Sequence, residues 1–571
     1  MVQRAAAAAL VLLAVVAVAP GLTADFTHFD DPLYLTLNAR MARPGLEGSL
    51  ALWSPADAWN GRFVEYFPLR DSVYWVLWHW LGPRSVPFHL VSLLFHVACV
   101  LLVRALGQKL GLSARASLVA AALFAVHPAH LESVVWVAGL KDPMYVFFTL
   151  GFLWLQLSAR ERGSKRLEWA SWAALVAALL CKSMAIVAPV WLVLCEQTRE
   201  ERPPWSKTLR AAAVPALLSG LFLAHFLVIA RIAHVVVPPH GGSLRAHVTL
   251  AVWAQVRYLA QALAPADLRF IHCFSPPSPF DPRLFAGLAL LAGLGVLLWK
   301  GSRQVKLSVG LYLAALLPVA NVLPFPAVVA DRYLYAASVG VCFGLALALE
   351  RLRPSWSRVA PVVLVGTWLI ISFTAALDWR DEEQLYVTAD EDPACMTDPS
   401  NYASKAHFQR GLVAHDDRTA LDAFQRTLDA AGSRQLSGPQ RCGVLLQASV
   451  RAARVRGAPF VAWTDQFIAQ CPTVQTAWFM GAMAALGRDG ELAVTRARRA
   501  VELRAAPDAR TALGVALLET GAVVEATATL DEALTSDPRS ACAVVRSWVA
   551  LGGDRPAAAQ VWVVRCEKIS P

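Results

Sequence analysis

The sequence predicts an all-α chain in two parts, a polytopic membrane bundle of about eleven transmembrane helices followed by a soluble α-solenoid. Three observations carry this reading. Of 571 residues, 56% are hydrophobic and 16% charged, with a mean hydropathy of +0.46, whereas an ordinary soluble domain carries about 25% charged residues. Long apolar runs alternate with short basic stretches as far as Leu377, and beyond it charges recur every few residues. Towards the carboxyl end, small residues return at a fixed offset. The expected division is therefore 1–377 for the membrane part, 378–400 for a linker and 401–571 for the repeats.

The apolar runs read as spans are 5–22, 86–104, 114–128, 142–159, 168–181, 183–196, 209–231, 284–299, 307–320, 333–349 and 357–377. The first begins after Arg4 and ends on Ala17-Val18-Ala19, as a secretory signal would. Pro20 directly after that tripeptide disfavours cleavage, so a retained anchor is expected. Basic residues cluster in alternate loops: Arg104, Lys109 and Arg115; Arg160, Arg162, Lys165 and Arg166; Arg199, Arg202, Lys207 and Arg210; Lys300, Arg303 and Lys306; Arg351, Arg353 and Arg358. The positive-inside rule puts these loops in the cytoplasm, leaving the other loops and the carboxyl-terminal part outside. The stretch 249–264 is apolar but contains Gln255, Arg257 and Gln261, which are costly at bilayer depth. It is expected to be an interfacial or re-entrant helix.

The formal charge of +10 does not indicate nucleic-acid binding. From Asp378 onward there are 21 Lys/Arg and 24 Asp/Glu, so the soluble part is slightly acidic and the basic excess sits in the membrane loops.

The outer loops carry the chemistry. Phe29-Asp30-Asp31-Pro32 follows the first span, and Glu65-Tyr66-Phe67-Pro68-Leu69-Arg70 comes later in the same loop. The second loop runs from His127-Pro128-Ala129-His130-Leu131-Glu132 to Lys141-Asp142-Pro143. A short turn holds Cys181-Lys182-Ser183, and the last loop runs from Leu317-Pro318-Val319-Ala320-Asn321-Val322-Leu323-Pro324 into Asp331-Arg332-Tyr333-Leu334-Tyr335. Each feature has a plain structural use: an Asp pair caps a helix, two histidines satisfy a short loop, and a lone cation snorkels. Their gathering at one membrane face favours a functional site, because ionisable groups at span ends are functional candidates by default.

At these residues the sequence resembles the transmembrane and tetratricopeptide-repeat O-mannosyltransferase-like proteins of the GT-C glycosyltransferase superfamily. The acidic pair, the His-Pro-x-His-x-Glu loop, the Cys-Lys turn and the Leu-Pro-Val-x-Asn to Asp-Arg-Tyr-Leu-Tyr segment occur in the family's order over roughly 25–350. The chain departs from the pattern at Asp331, where the family usually has Glu, at Ala337 before Ser338, where it has Pro, and at Leu140, often basic. The resemblance implies a GT-C-like bundle that moves a sugar, mannose-like, from a polyprenyl-phosphate carrier to a hydroxyl acceptor, protein Ser or Thr, on the outer face. A carboxylate must take the acceptor's proton, which assigns Asp30 as base and Asp31 to orient the acceptor. Fixed cations stabilise the departing phosphate, which assigns Arg332 and Lys182, with Lys141 behind them. His127, His130, Glu132 and Tyr333 would shape the cavity. No cofactor is required, although His130 with Glu132 offers an alternative divalent-metal site.

In the tail, Gly481, Ala493 and Ala500 recur as Gly514, Ala526 and Ala533, an offset of 33 (514 − 481), with Pro507 and Pro538 closing the units. An earlier unit spans Lys405 to Ala431 and a poorer one Val444 to Pro472. This suits tetratricopeptide-type helix pairs with a period of about 34 residues, whose stack offers a groove to a protein partner or acceptor. Cys395, Cys442, Cys471, Cys542 and Cys566 lie here, with Cys273 in an outer loop; an oxidising compartment permits disulfides, but their pairing is not readable from sequence. The expected location is a bacterial cytoplasmic membrane with periplasmic repeats, or the ER membrane with luminal repeats in a eukaryote. Competing readings are a catalytically silent repeat scaffold and a lipid-linked-glycan ligase or transporter.

Overall fold

The computed structural model describes residues 2–59, 65–232, 239–275, 277–278, 280–322, 324, 327–398, 401–430, 433, 436–551 and 556–569. Leu323 of the last outer loop and residues 399–400 of the expected linker lie outside them. Every regular element described is helical. The chain forms two compact units, Met1–Ala403 and Ser404–Pro571.

In the first unit all eleven expected spans are helices, but fewer than eleven qualify as spans by themselves. Gln3–Thr23, Ser85–Lys109, Trp205–Ile232, Pro282–Lys300, Asp331–Glu350 and Pro354–Asp378 are long and apolar enough to cross a membrane. Ala114–Ala125 and Pro128–Val134 would make a seventh if their 53° break lies inside one crossing. Among the described residues the count by length and composition is thus six or seven, lower than the expected eleven or so. Helix length explains most of the difference: Lys165–Leu179 has 15 residues and Arg303–Leu316 has 14, or about 22 Å at 1.5 Å per residue against a hydrocarbon core of about 30 Å. Ser183–Gln197 is likewise short. Lys141–Arg162 is long enough, but Tyr145, Thr149, Gln156 and Ser158 dilute its apolar character. The doubtful segment 249–264 lies in the helix Leu244–Leu263 and is not among the spans.

Local signals place the helix ends. Ser113 and Ser243 cap their helices by accepting from Ala116 N at 2.9 Å and Ala246 N at 3.1 Å, satisfying backbone donors that have no partner in the first turn. Gly163 ends Lys141–Arg162 in the left-handed conformation, φ 58°.

The loops sort into two groups by their bonds. In the basic group, Lys109 pairs with Glu161, Arg160 with Glu196, and Arg199 with Glu161. Arg303 donates to the carbonyls of Arg199 and Glu200, and Gln304 to that of Gly111. In the other group, Leu69 N donates to Leu180 O, and His127 Nε2 lies 3.1 Å from Ala262 O. The alternation seen in the sequence therefore brings each set of loops together. The segment 378–400, expected as a linker, holds the helices Glu382–Asp390 and Pro393–Thr397 and belongs to the first unit.

The second unit is a row of helix pairs: Asn401–Val413 with Asp417–Asp429, Gly438–Val455 with Ala458–Gln470, Gln475–Ala485 with Gly490–Leu503, and Pro507–Glu519 with Val523–Ser536. Pro538–Leu551 and Gln560–Glu567 follow. The recurring glycines mark close helix contacts. A Cβ on Gly481 would lie 2.5 Å from Ile468 Cδ1, and one on Gly514 2.5 Å from Leu530 Cγ. Ala493, Ala500, Ala526 and Ala533 are fully buried in the same seams. Cys442–Cys471 joins the second pair to the turn that follows it, and Cys542–Cys566 joins the last two helices.

Candidate active site

The acidic pair opens the short helix Asp31–Tyr34, with Pro32 in its first turn. Asp30 is the N-cap and half-buried; its carbonyl accepts from Leu33 N at 3.0 Å. Asp31 is buried, and its carboxylate is occupied. Oδ2 accepts from Thr27 N at 2.7 Å and Thr27 Oγ1 at 3.1 Å, and Oδ1 from Ala138 N at 2.8 Å. Burial pushes the Asp31 carboxyl up to about 7, against the pull of those donors. The bond to Ala138 ties the acidic loop to the turn ahead of Lys141. Gly139 is required in that turn, since a Cβ there would lie 2.3 Å from Glu132 O.

That turn leads to the cations. Lys141 Nζ donates to Tyr34 Oη at 3.1 Å and lies 4.8 Å from the centre of that ring. Its neighbour Asp142 is fully buried and pairs with Lys182. Lys182 Nζ is 5.6 Å from the Tyr145 ring and 5.8 Å from the Tyr333 ring. Burial pushes the Lys182 ammonium down to about 8, opposed by Asp142. The Arg332 guanidinium lies over the other side of this group, 5.1 Å from Tyr333 and 5.6 Å from Trp136. It pairs with Glu132 Oε1, while Arg332 N donates to Glu132 Oε2 at 2.7 Å.

The two histidines sit deeper. His127 Nδ1 accepts from Ala129 N at 3.2 Å, which places a proton on Nε2 for Ala262 O. His130 Nε2 is 2.8 Å from Ser338 Oγ, and the two imidazoles stack at 5.0 Å. His130 and Glu132, the alternative metal pair, thus have separate partners. Among the described residues no group of three or more His, Cys, Asp or Glu side chains could hold a metal ion.

The structure therefore joins Asp31, Lys141, Lys182, Arg332, Tyr333 and Glu132 through short contacts, and sets the histidines behind them. It also brings in residues to which the sequence assigned no role. Arg70 is buried, pairs with Glu65 at 2.6 Å and Asp71 at 2.7 Å, and lies 4.5 Å from the Tyr34 ring. Tyr34 Oη donates to Glu65 Oε2 at 3.1 Å. Burial raises the Glu65 carboxyl, but Lys141 and Arg70 outweigh it and hold the group at about 2. The Glu65–Arg70 spacing was visible; the helix Pro68–Leu81 that carries Arg70 was not. Asp331 accepts from His272 Nε2 at 2.9 Å and Arg269 N at 3.1 Å, clasping the loop after Leu244–Leu263. Phe270 in that loop meets Phe29 and Trp136, both at 5.2 Å. Beside it opens a cleft lined by residues that include Leu131, Glu132, Arg269, Asp331 and Trp379.

The sequence has relatives of known name. The chain is 26% identical over 444 residues to the protein O-mannosyl-transferase TMTC4 of Mus musculus, covering 66% of this chain and 59% of that one. A Caenorhabditis elegans protein O-mannosyl-transferase is 22% identical over 393 residues, 65% of this chain and 54% of the relative. The Drosophila melanogaster protein O-mannosyl-transferase Tmtc1 is 24% identical over 417 residues, 54% and 48%. The chain is thus similar to TMTC-type protein O-mannosyl-transferases over about 55–65% of its length. It spans about half the length of the relatives it matches, and no family model matches it. With several helices long and apolar enough to cross a membrane, it is a multi-pass membrane protein.

Proposed function

We propose that this TMTC-like protein is an integral-membrane glycosyltransferase that moves a mannose-like sugar from a polyprenyl-phosphate carrier to a hydroxyl of a protein acceptor. The observation that carries this reading is the linkage of the acidic loop to the cations. Asp31 holds the turn from which Lys141 and Asp142 project, and Asp142 holds Lys182. A base and a phosphate clamp are thereby fixed relative to one another, as an attacking hydroxyl and a leaving phosphate require.

In the step proposed, the acceptor oxygen forms a bond to the anomeric carbon while the bond from that carbon to the phosphate oxygen breaks. The hydroxyl proton passes to the half-buried Asp30 carboxylate. The electron pair leaves with the lipid phosphate, whose charge is stabilised by Lys141, Lys182 and Arg332. Lys141 donates to the Tyr34 phenol and acts on the Glu65 carboxylate beyond it, while Arg332 and Lys182 each pair directly with a carboxylate. Asp31, occupied by three donors, fixes the loop rather than orienting the acceptor. The acceptor enters by the cleft beside Glu132 and Phe270.

Sidedness is supported by the cysteines. Cys273–Cys395 joins the Phe270 loop to the segment after the last span, and the other two disulfides lie in the repeats. Cys99, Cys181, Cys195 and Cys342, in or beside the membrane helices, are free. Disulfides belong to oxidising compartments, so the site and the repeats face the outer side, periplasmic or luminal. The repeats offer a groove to an acceptor protein.

Asp30→Asn keeps the shape of the base and removes its function. Transfer is expected to fall by about 10²–10⁴-fold, the range for loss of a general base, with donor binding retained because the cations are untouched. Transfer at the wild-type rate would remove Asp30 from this role.

A further inference from the structure

The acidic loop is held from a second direction, by the segment that leaves the last long helix. Glu382 opens the helix Glu382–Asp390. Its carboxylate accepts from His28 N at 2.5 Å, from His28 Nδ1 at 2.7 Å and from Tyr386 Oη at 3.1 Å. His28 stands two residues before Asp30. The same segment is fastened to the Phe270 loop at several further points. Trp379 and Tyr386 meet the Phe270 ring at 5.4 Å and 5.7 Å. Asp392 pairs with Arg269, Asp398 Oδ2 accepts from Phe274 N at 3.0 Å, and Cys395 bonds to Cys273. Trp379, Gln384, Leu385 and Thr388 line the cleft opposite Glu132.

We propose that residues 379–398 form a strap that completes the acceptor cleft and sets the acidic loop against it, with Glu382 as the positioning residue for Asp30. This rests on the transfer reading of the site. Asp31 fixes the loop at its carboxyl side through Ala138, and Glu382 fixes it at its amino side through the His28 backbone. Asp30, between the two anchors, acquires a defined position. The His28 side chain is 65% exposed, so water can replace the lost acceptor when Glu382 is removed. The fold then survives while the loop gains freedom. A base displaced by a fraction of the reaction distance costs rate, not donor affinity.

The test pairs kinetics with hydrogen exchange on the full-length protein in detergent. Glu382→Ala is expected to lower kcat on the order of 10- to 100-fold, with the KM for polyprenyl-phosphate mannose unchanged and the thermal midpoint lowered only by the loss of the Tyr386 hydroxyl's acceptor, a loss that Tyr386→Phe reproduces without the fall in kcat. Exchange in the 24–31 segment should accelerate. Glu382→Gln, which keeps an acceptor oxygen for His28 N, should recover part of kcat and part of the protection. Unchanged exchange and unchanged kcat in Glu382→Ala would overturn the proposal, as would equal changes in KM, kcat and thermal midpoint. If the wild-type protein transfers no sugar, the function proposed above fails, and the exchange comparison still decides whether Glu382 holds the loop.

Discussion

Replacing Arg332 tests donor recognition, and the structure shows why a single substitution misleads. Glu132 has a side chain only 4% exposed, and its carboxylate takes the Arg332 guanidinium on one oxygen and the Arg332 backbone N–H on the other. Arg332→Ala deletes the guanidinium and leaves a buried carboxylate on one neutral donor. Breaking a buried pair in this way costs about 3–5 kcal/mol, enough to lower the thermal midpoint whatever Arg332 does for the donor. Glu132→Gln added to Arg332→Ala removes the stranded charge, and its amide oxygen still accepts from the residue 332 backbone. The double variant is therefore expected to regain more than half of the lost stability. Donor binding is expected to stay weak, because neutralising Glu132 does not restore a cation for the phosphate. Thermal unfolding in detergent, with equilibrium binding of polyprenyl-phosphate mannose to both variants, separates the two effects. If the double variant binds donor as tightly as wild type, Arg332 serves Glu132 alone and the phosphate clamp must be redrawn without it.

Two further outcomes follow from named groups. Lys182 is charged below about 8 and neutral above it, so donor affinity should weaken as pH rises through that value, and Lys182→Arg should abolish the dependence. Unfolding does not explain such a loss: a lysine lowered in the fold from its ordinary 10.5 makes stability grow, not fall, between about 8 and 10.5. In the repeat unit, Cys442→Ser opens a link across 29 residues and should cost about 3 kcal/mol, read as a lower denaturation midpoint; no change would place the two thiols outside a stabilising disulfide.

Much of this was legible in the sequence because it depends on local periodicity. Each apolar run forms a helix, the offset of 33 marks true helix pairs, and the basic clusters in alternate loops do meet. The number of independent spans was not legible, since an apolar run of 14 residues looks like a span until its ends are fixed by capping and by proline. The site was half visible. Lys141, Lys182, Arg332 and Glu132 announce themselves as ionisable groups at span ends, and their convergence followed from the alternation of loops. Their partners did not. Asp331 with His272 and Glu382 with His28 are pairs 59 and 354 residues apart, joined only when these loops pack, and no spacing rule connects them. The bonding of Asp31 was also hidden, because an acidic residue whose oxygens are filled by Thr27 and Ala138 reads in sequence as a reactive one does. The helix Pro68–Leu81 escaped notice because its mixture of Trp, Tyr, His and Arg interrupts the apolar run.

The most direct measurement follows the sugar itself. Purified wild-type protein is incubated with polyprenyl phosphate carrying radiolabelled mannose and with protein acceptors from the same compartment. The account predicts that label appears on acceptor protein, with free polyprenyl phosphate released in equal amount. Label that remains on the carrier while the protein binds it, or that moves to a lipid-linked glycan instead of protein, would contradict it.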